Sequence, residues 1–265
     1  MKSIVLGQYY PADSLLHRLD PRVKLVSTFV YIISLFIVKD LPGYICVTVY
    51  LLAAVILSKV PPVKMLRGLS GIIFLMLITV IVNLFTIPGT PLLSFHGLHI
   101  TVEGVYSAVR MMLRLVYLIT GSSVMTFTTT PSALSDGLES LMKPLKIFRV
   151  PVHDIAMMIS IALRFIPILS EETDIIIKAQ KARCADFDSG NMVKRAKAFI
   201  PVLVPLFVSA FRRANDLATA MEARCYRGGD TRTRMKPLLY SGRDYLVYAA
   251  DLALVTLCIM TRVML

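Results

Sequence analysis

The sequence predicts an all-α integral membrane protein, with about five transmembrane helices and a cytosolic or interfacial region of about three more. Composition is the first reason: 56% of the 265 residues are hydrophobic, against roughly 45–50% in soluble domains, and the mean hydropathy is +0.69. The second is that several apolar runs approach the roughly 20 residues needed to cross about 30 Å of hydrocarbon. The third is where the net charge of +12 sits. Its basic residues flank apolar segments, as in membrane proteins, and form no separate basic domain of the kind that binds nucleic acid.

Four spans read in the first half, near Val23–Lys39, Tyr44–Leu57, Leu69–Ile87 and Val105–Phe127, and a fifth near Tyr245–Thr261. Asp20-Pro21 reads as an N-cap followed by proline at the first helical position, where no N–H is needed, so the first span starts there. No Ala-x-Ala cleavage site follows the first apolar run, which is expected to be a retained helix. Arg18, Arg22 and Lys24 precede the first span and Lys59, Lys64 and Arg67 separate the second from the third, whereas residues 88–102 hold no lysine or arginine. The positive-inside rule therefore places the N-terminus in the cytosol. Three regions follow: a four-helix membrane region over 1–127, a cytosolic region over 128–243 and a final membrane helix over 244–265.

Residues 128–243 carry 18 Lys+Arg against 11 Asp+Glu. Val152–Leu169 is apolar enough to pass for a span, and Ala198–Phe211 is a shorter apolar run interrupted by Pro201 and Pro205. If only the first crossed, Lys178, Lys181, Arg183, Lys194, Arg195 and Lys197 would lie outside, against the charge rule. Both are expected to be apolar halves of long helices at the cytosolic boundary of the membrane, with polar halves reaching into the cytosol. Before them, Thr130 caps a helix from Pro131 to about Lys146, whose Leu134, Leu138, Leu141, Met142 and Leu145 fall on one face.

An internal echo is the most informative feature. Ala179-Gln180-Lys181-Ala182-Arg183-Cys184 and Ala220-Met221-Glu222-Ala223-Arg224-Cys225 share the pattern A-x-x-A-R-C, 41 residues apart. Each closes a helical stretch, with Gly190, Gly228 and Gly229 as helix stops beyond. Small alanines one turn apart admit a close backbone, and arginine offers a planar five-donor fork. On spacing alone two readings stand: docking tips, or arginines that complement the negative end of a helix dipole, worth about 0.3–1 kcal/mol.

Four segments shift the balance toward docking tips by resemblance. They are Leu16-His17-Arg18-Leu19-Asp20-Pro21-Arg22-Val23-Lys24; Thr130-Pro131 with Gly137-Leu138-Glu139; Leu163-Arg164-Phe165-Ile166-Pro167 with Glu171; and Ala220-Met221-Glu222-Ala223-Arg224 with Arg232-Thr233. In this order, over nearly the whole chain, they resemble the T-component family of energy-coupling factor transporters. The resemblance implies a coupling domain in which two long, crossed helices end in Ala-Arg-Gly tips, each docking on one of two cytosolic ABC ATPases that bind ATP. Carried over, the docking residues are Ala182, Arg183 and Cys184, and Ala223, Arg224 and Cys225; Arg164, Pro167, Glu171 and Glu222 support the coupling helices. Cysteine stands where the family has glycine in both tips. The further partners implied are a substrate-binding membrane S component and the lipid membrane, with vitamins or transition-metal ions as cargo. The segment Tyr226-Arg227-Gly228-Gly229 with Arg232-Thr233 looks more like members whose module is shared among vitamin-binding subunits.

Arg110 and Arg114, one turn apart in the fourth span, are either functional intramembrane charges or side chains snorkelling to the outer interface. Asn83 reads as interhelical glue, and Arg164 with Glu171, two turns apart, as a brace. The methionines, among them Met111-Met112 and Met157-Met158, offer either an adaptable partner surface or ordinary apolar filling. His17, His96, His99 and His153 are scattered and Cys46, Cys184, Cys225 and Cys258 have no C-x-x-C spacing, so neither a metal site nor a disulfide framework is expected. No cofactor site is read either. Without a G-x-x-x-x-G-K-[ST] loop the chain needs separate ATPases for any ATP-driven role. A secondary transporter would show paired repeats of spans and broken helices, and a membrane-embedded enzyme a clustered acid, base or nucleophile. Neither pattern stands out, and a non-catalytic subunit is expected.

Overall fold

The computed structural model describes residues 9–38, 40–95, 98–185, 187, 191–226, 228 and 237–264. Ten α-helices are described: α1 (Pro21–Ile37), α2 (Leu41–Ser58), α3 (Pro62–Leu69), α4 (Ile73–Thr86), α5 (Val102–Thr128), α6 (Pro131–Met142), α7 (Val152–Ala182), α8 (Met192–Ala198), α9 (Ile200–Ala223) and α10 (Gly242–Met264). A 3-10 segment, Lys143–Phe148, follows α6. The strands β1 (Pro91–Phe95) and β2 (Leu98–Thr101) pair antiparallel. These two strands were not expected from the sequence, where residues 88–102 were noted only for holding no lysine or arginine. The chain divides into two compact units, one of Gly7–Leu138 with Leu238–Leu265 and the other of Glu139–Pro237.

In the first unit α1 opens as its sequence dictates. The Asp20 carboxylate accepts from the Arg22 N–H at 2.9 Å, and Pro21 fills the first turn. Asp244, in the first turn of α10 and fully buried, accepts from the N–H of Ser241 at 2.7 Å and from that of Asp20 at 3.1 Å. One carboxylate thus reaches back to its own helix start, as in a capping box, and ties the start of α1 to it. Further along, Asp251 of α10 is 3% exposed and accepts from Ser27 Oγ of α1 at 2.5 Å and Tyr50 OH of α2 at 2.6 Å. Around it Tyr31, Leu35, Val38, Tyr44, Val47, Leu51, Leu254 and Cys258 form the main core cluster.

Helix α5 closes this unit. Gly121 lies where a Cβ would run into the ring of Tyr31. The Tyr31 hydroxyl donates to the Tyr117 carbonyl at 3.0 Å, and the hydroxyls of Tyr117 and Thr48 lie 2.7 Å apart. Thr101 caps α5, accepting from the Gly104 N–H at 3.1 Å, while Glu103 accepts from the Thr90 N–H at 2.8 Å. Thr130 takes its expected place at the start of α6, accepting from the Ala133 N–H at 3.3 Å. The residues of α6 buried deepest are Ser135 and Gly137 rather than its leucines; Leu138 is exposed. A Cβ on Gly137 would come 3.0 Å from Cβ of Pro21, so glycine permits the close approach of α6 to the start of α1.

The outward faces are apolar. Phe74, Leu75 and Leu77 of α4, Ile56 of α2 and Leu252 of α10 are all exposed, a surface that suits hydrocarbon and not water. Four described helices are long and apolar enough to cross a membrane: α2, α5, α7 and α10. This differs from the expected set in three places. Helix α1, at 17 residues, and α4, at 14, fall short. Helix α7, expected to lie at the boundary, qualifies because most of its charged residues gather in the second half, leaving only Asp154 and Arg164 charged in a first half that is otherwise mainly apolar.

Candidate functional site

The second unit is built on α7 and α9, which pack against each other. Of the three prolines read in these segments, Pro167 lies inside α7, Pro205 inside α9 and Pro201 in the first turn of α9. Each removes one backbone donor from its helix. The carbonyl that Pro205 cannot serve, that of Pro201, accepts from Gln180 Nε2 of α7 at 3.3 Å. Two turns back along α7, Glu172 accepts from the Ser209 hydroxyl and, at 3.0 Å, from Arg213 Nη2 of α9. Residues 180 and 172 thus meet 201 and 209–213, so the helices run antiparallel. The C-terminal ends of α7 and α9 therefore lie at opposite ends of the pair, on the order of 35 Å apart along straight axes at 1.5 Å per residue.

Those two ends are built alike. Helix α7 stops at Ala182 with Arg183 as its C-cap, and α9 stops at Ala223 with Arg224 as its C-cap. The N–H of Cys184 donates to the Lys181 carbonyl at 3.0 Å and that of Ala185 to the Gln180 carbonyl at 3.0 Å. At the other end the Cys225 N–H donates to Glu222 at 2.8 Å and the Tyr226 N–H to Met221 at 3.0 Å. This crossed pair of bonds is the Schellman motif, which satisfies carbonyls that a helix end otherwise leaves open. It requires a left-handed residue after the cap. Cys184 has φ of 64° and Cys225 φ of 57°, so both cysteines occupy the conformation that glycine adopts without strain. Each cysteine thus supplies the left-handed residue that closes the turn.

Ala182, Arg183 and Cys184 are exposed, as are Ala223, Arg224 and Cys225. Neither arginine side chain makes a hydrogen bond or ion pair among the described residues, which leaves the donors of each guanidinium open. Beyond the first tip, Phe187 is buried with its ring 5.4 Å from that of Phe199, just before α9. Glu222 is exposed in the last turn of α9. Arg164 and Glu171 are also exposed and no ion pair joins them among the described residues; the residue that braces α7 on α9 is Glu172, one position further on. Gly228 has φ of 66°, whereas Gly190, Arg227, Gly229, Arg232 and Thr233 lie outside the described residues.

Of the other candidates, Arg114 donates through Nη2 to the Val38 carbonyl at 3.1 Å and lies over the Phe36 ring. Arg110 Nε donates to the Tyr106 carbonyl one turn back, and Asn83 to that of Thr79. His153 pairs with Glu139 at 3.2 Å. His17 bonds Ser14 and the Tyr10 carbonyl; His96 is outside the described residues, and the side chain of His99 is not described. All four cysteines are free, and no metal-holding cluster occurs among the described residues.

Four apolar helices of membrane-crossing length, α7 of the capped pair among them, define a multi-pass membrane protein. The chain belongs to the cobalt transport protein (CbiQ) family, whose profile matches residues 12–236. It is 52% identical to an energy-coupling factor transporter transmembrane protein, EcfT, of Ruminiclostridium cellulolyticum, over 97% of this chain and 96% of that protein. The EcfT proteins of Clostridium kluyveri, 50% identical over 99% of this chain and 98% of the relative, and Bacillus subtilis, 42% identical over 99% of both, match in the same way. End-to-end similarity of this kind makes the chain a transmembrane T component of an energy-coupling factor transporter.

Proposed function

We propose that this T component transmits ATP-driven motion of two cytosolic ABC ATPases to a substrate-binding membrane S component, for uptake of a vitamin or another micronutrient, without catalysing a reaction itself. The observation that carries this is the pair of identically capped, exposed arginine tips at opposite ends of one antiparallel helix pair. Two like tips fit two like sockets, and their separation fits two different ATPase chains. The N-terminus and both tips are cytosolic in this reading, in keeping with the basic residues around them.

When the ATPases close on ATP, each draws its tip along, and α7 shifts against α9. The side-chain hydrogen bonds that join the pair run from Gln180 to Pro201 and from Ser209 and Arg213 to Glu172. Pro167 and Pro205 are the points at which each helix bends most readily. The apolar first halves carry the shift to an S component resting on them. The S component is moved only in so far as it contacts the two arrangements differently.

The native cysteines test the arrangement directly. A membrane-impermeant maleimide added to inside-out vesicles of the assembled transporter should label Cys184 and Cys225 slowly, and quickly once the ATPases are stripped away. Equal labelling rates with and without the ATPases would count against docking at these tips.

A further inference from the structure

Within the first unit a cleft of about 430 Å³ is walled mainly by apolar side chains, among them Leu15, Leu16, Leu57, Val124, Leu246 and Val247. It lies at the end of the unit where α1 and α10 begin and α2 and α5 finish. The size falls within the roughly 300–1,000 Å³ typical of ligand sites. Leu246, 72% exposed, and Leu15 and Leu57 leave it open to the surroundings.

The walls also hold polar groups, and their hydrogen bonds identify the occupant. Ser27 and Tyr50 donate to Asp251, Tyr31 to the Tyr117 carbonyl, Thr28 to the Lys24 carbonyl and Thr128 to the Val124 carbonyl. Lys24 Nζ is held by the carbonyls of Thr128 at 2.9 Å and His17 at 3.3 Å. Each of these donors is already engaged within the protein. A polar solute entering the cleft would exchange its water for partners that are taken. Arg243 differs: it lines the cleft, is exposed, and makes no hydrogen bond or ion pair among the described residues. The cleft therefore offers an apolar body and one cation at its edge. An acyl chain bearing an anionic phosphate complements both features, the chain through area burial and the phosphate through the guanidinium fork.

We propose that this cleft holds one acyl chain of an anionic phospholipid from the adjacent leaflet, with the lipid phosphate paired to Arg243. The site belongs to the membrane unit and does not depend on how the arginine tips act. A resident lipid here would fill the space between α1, α2, α5 and α10 next to the Asp251 hub, so the helices need not collapse on it.

The chain contains no tryptophan, which permits a clean test in the full-length protein. Leu246→Trp places a reporter at the cleft, and Phe74→Trp, on the outward face of α4, reports bulk lipid. Each variant is reconstituted in phosphatidylcholine with increasing phosphatidylglycerol brominated on its acyl chain. Quenching at position 246 should reach half its limit at a several-fold lower mole fraction than at position 74. Adding Ala54→Phe, which fills the cleft, should abolish that difference, and adding Arg243→Gln should remove the preference over brominated phosphatidylcholine. Quenching that follows bulk composition at both positions overturns the proposal. So does quenching at 246 below the bulk value, which would show protein occupying the cleft. A preference for phosphatidylglycerol that survives Arg243→Gln overturns the pairing assigned to Arg243.

Discussion

Gln180 Nε2 donates to the Pro201 carbonyl at 3.3 Å, occupying the acceptor that Pro205 cannot serve. The backbone carbonyl of the same Gln180 accepts from Ala185 in the cap of the first tip. One residue therefore links the geometry of a tip to the point where the partner helix is weakest. Gln180→Ala should remove about 0.5–1.5 kcal/mol, the net worth of one hydrogen bond. Gln180→Glu, which faces a carbonyl with a carboxylate, should be worse. Transport per ATP hydrolysed, measured in proteoliposomes, should fall in both variants while ATPase binding stays intact; unchanged coupling in Gln180→Glu would show that the bond is dispensable.

Cys184 and Cys225 adopt the left-handed conformation at 64° and 57°, which is unfavourable for a residue with a side chain by roughly 1–2 kcal/mol. Cys184→Gly and Cys225→Gly should each stabilise the second unit by about 1 kcal/mol with recovery of the ATPases unchanged. β-Branched substitutions, Cys184→Val and Cys225→Val, should loosen the tips. Thermal unfolding followed by circular dichroism in detergent distinguishes the two directions, and a loss of stability with glycine contradicts the assigned geometry.

Asp251 joins α1, α2 and α10 through Ser27 and Tyr50. Asp251→Ala leaves two hydroxyls without their acceptor and should cost about 1–3 kcal/mol or more. Asp251→Asn, which keeps an acceptor oxygen, should lose much less. Melting temperatures of the isolated T component report both, and equal losses would mean that the carboxylate is not the hub.

Gly121 faces the Tyr31 ring with no space for a Cβ. Gly121→Ala should destabilise by about 1–3 kcal/mol through overpacking. Tyr31→Leu in the same chain should return part of that loss, so a double-mutant cycle with no coupling energy would refute the contact.

Local signals carried much of this structure in the sequence. Asp20-Pro21 and Thr130-Pro131 start helices because capping chemistry is set within a few residues. Both A-x-x-A-R-C segments end helices as read, but the left-handed residue that closes each is Cys184 or Cys225 and not one of the glycines further on. What depended on a second element was hidden. Glu172, not Glu171, meets α9, a choice fixed by the register of α7 on α9 and not by spacing along α7. Arg114 resting on the Val38 carbonyl at the end of α1 could not be seen from α5 alone. Gly137 was read as part of a motif, while its role as the close-approach point for Pro21 needs two helices to be placed. The hairpin at 91–101 was missed because two strands of five and four residues carry almost no periodicity.

The account rests most heavily on Arg183 and Arg224 as the points at which the chain grips its ATPases. The direct measurement is co-purification of both ATPase chains with affinity-tagged protein carrying Arg183→Glu and Arg224→Glu together. Single reversals should weaken recovery, and the double reversal should abolish it while the S component is still recovered. Undiminished recovery of both ATPases with the doubly reversed chain would contradict the central claim.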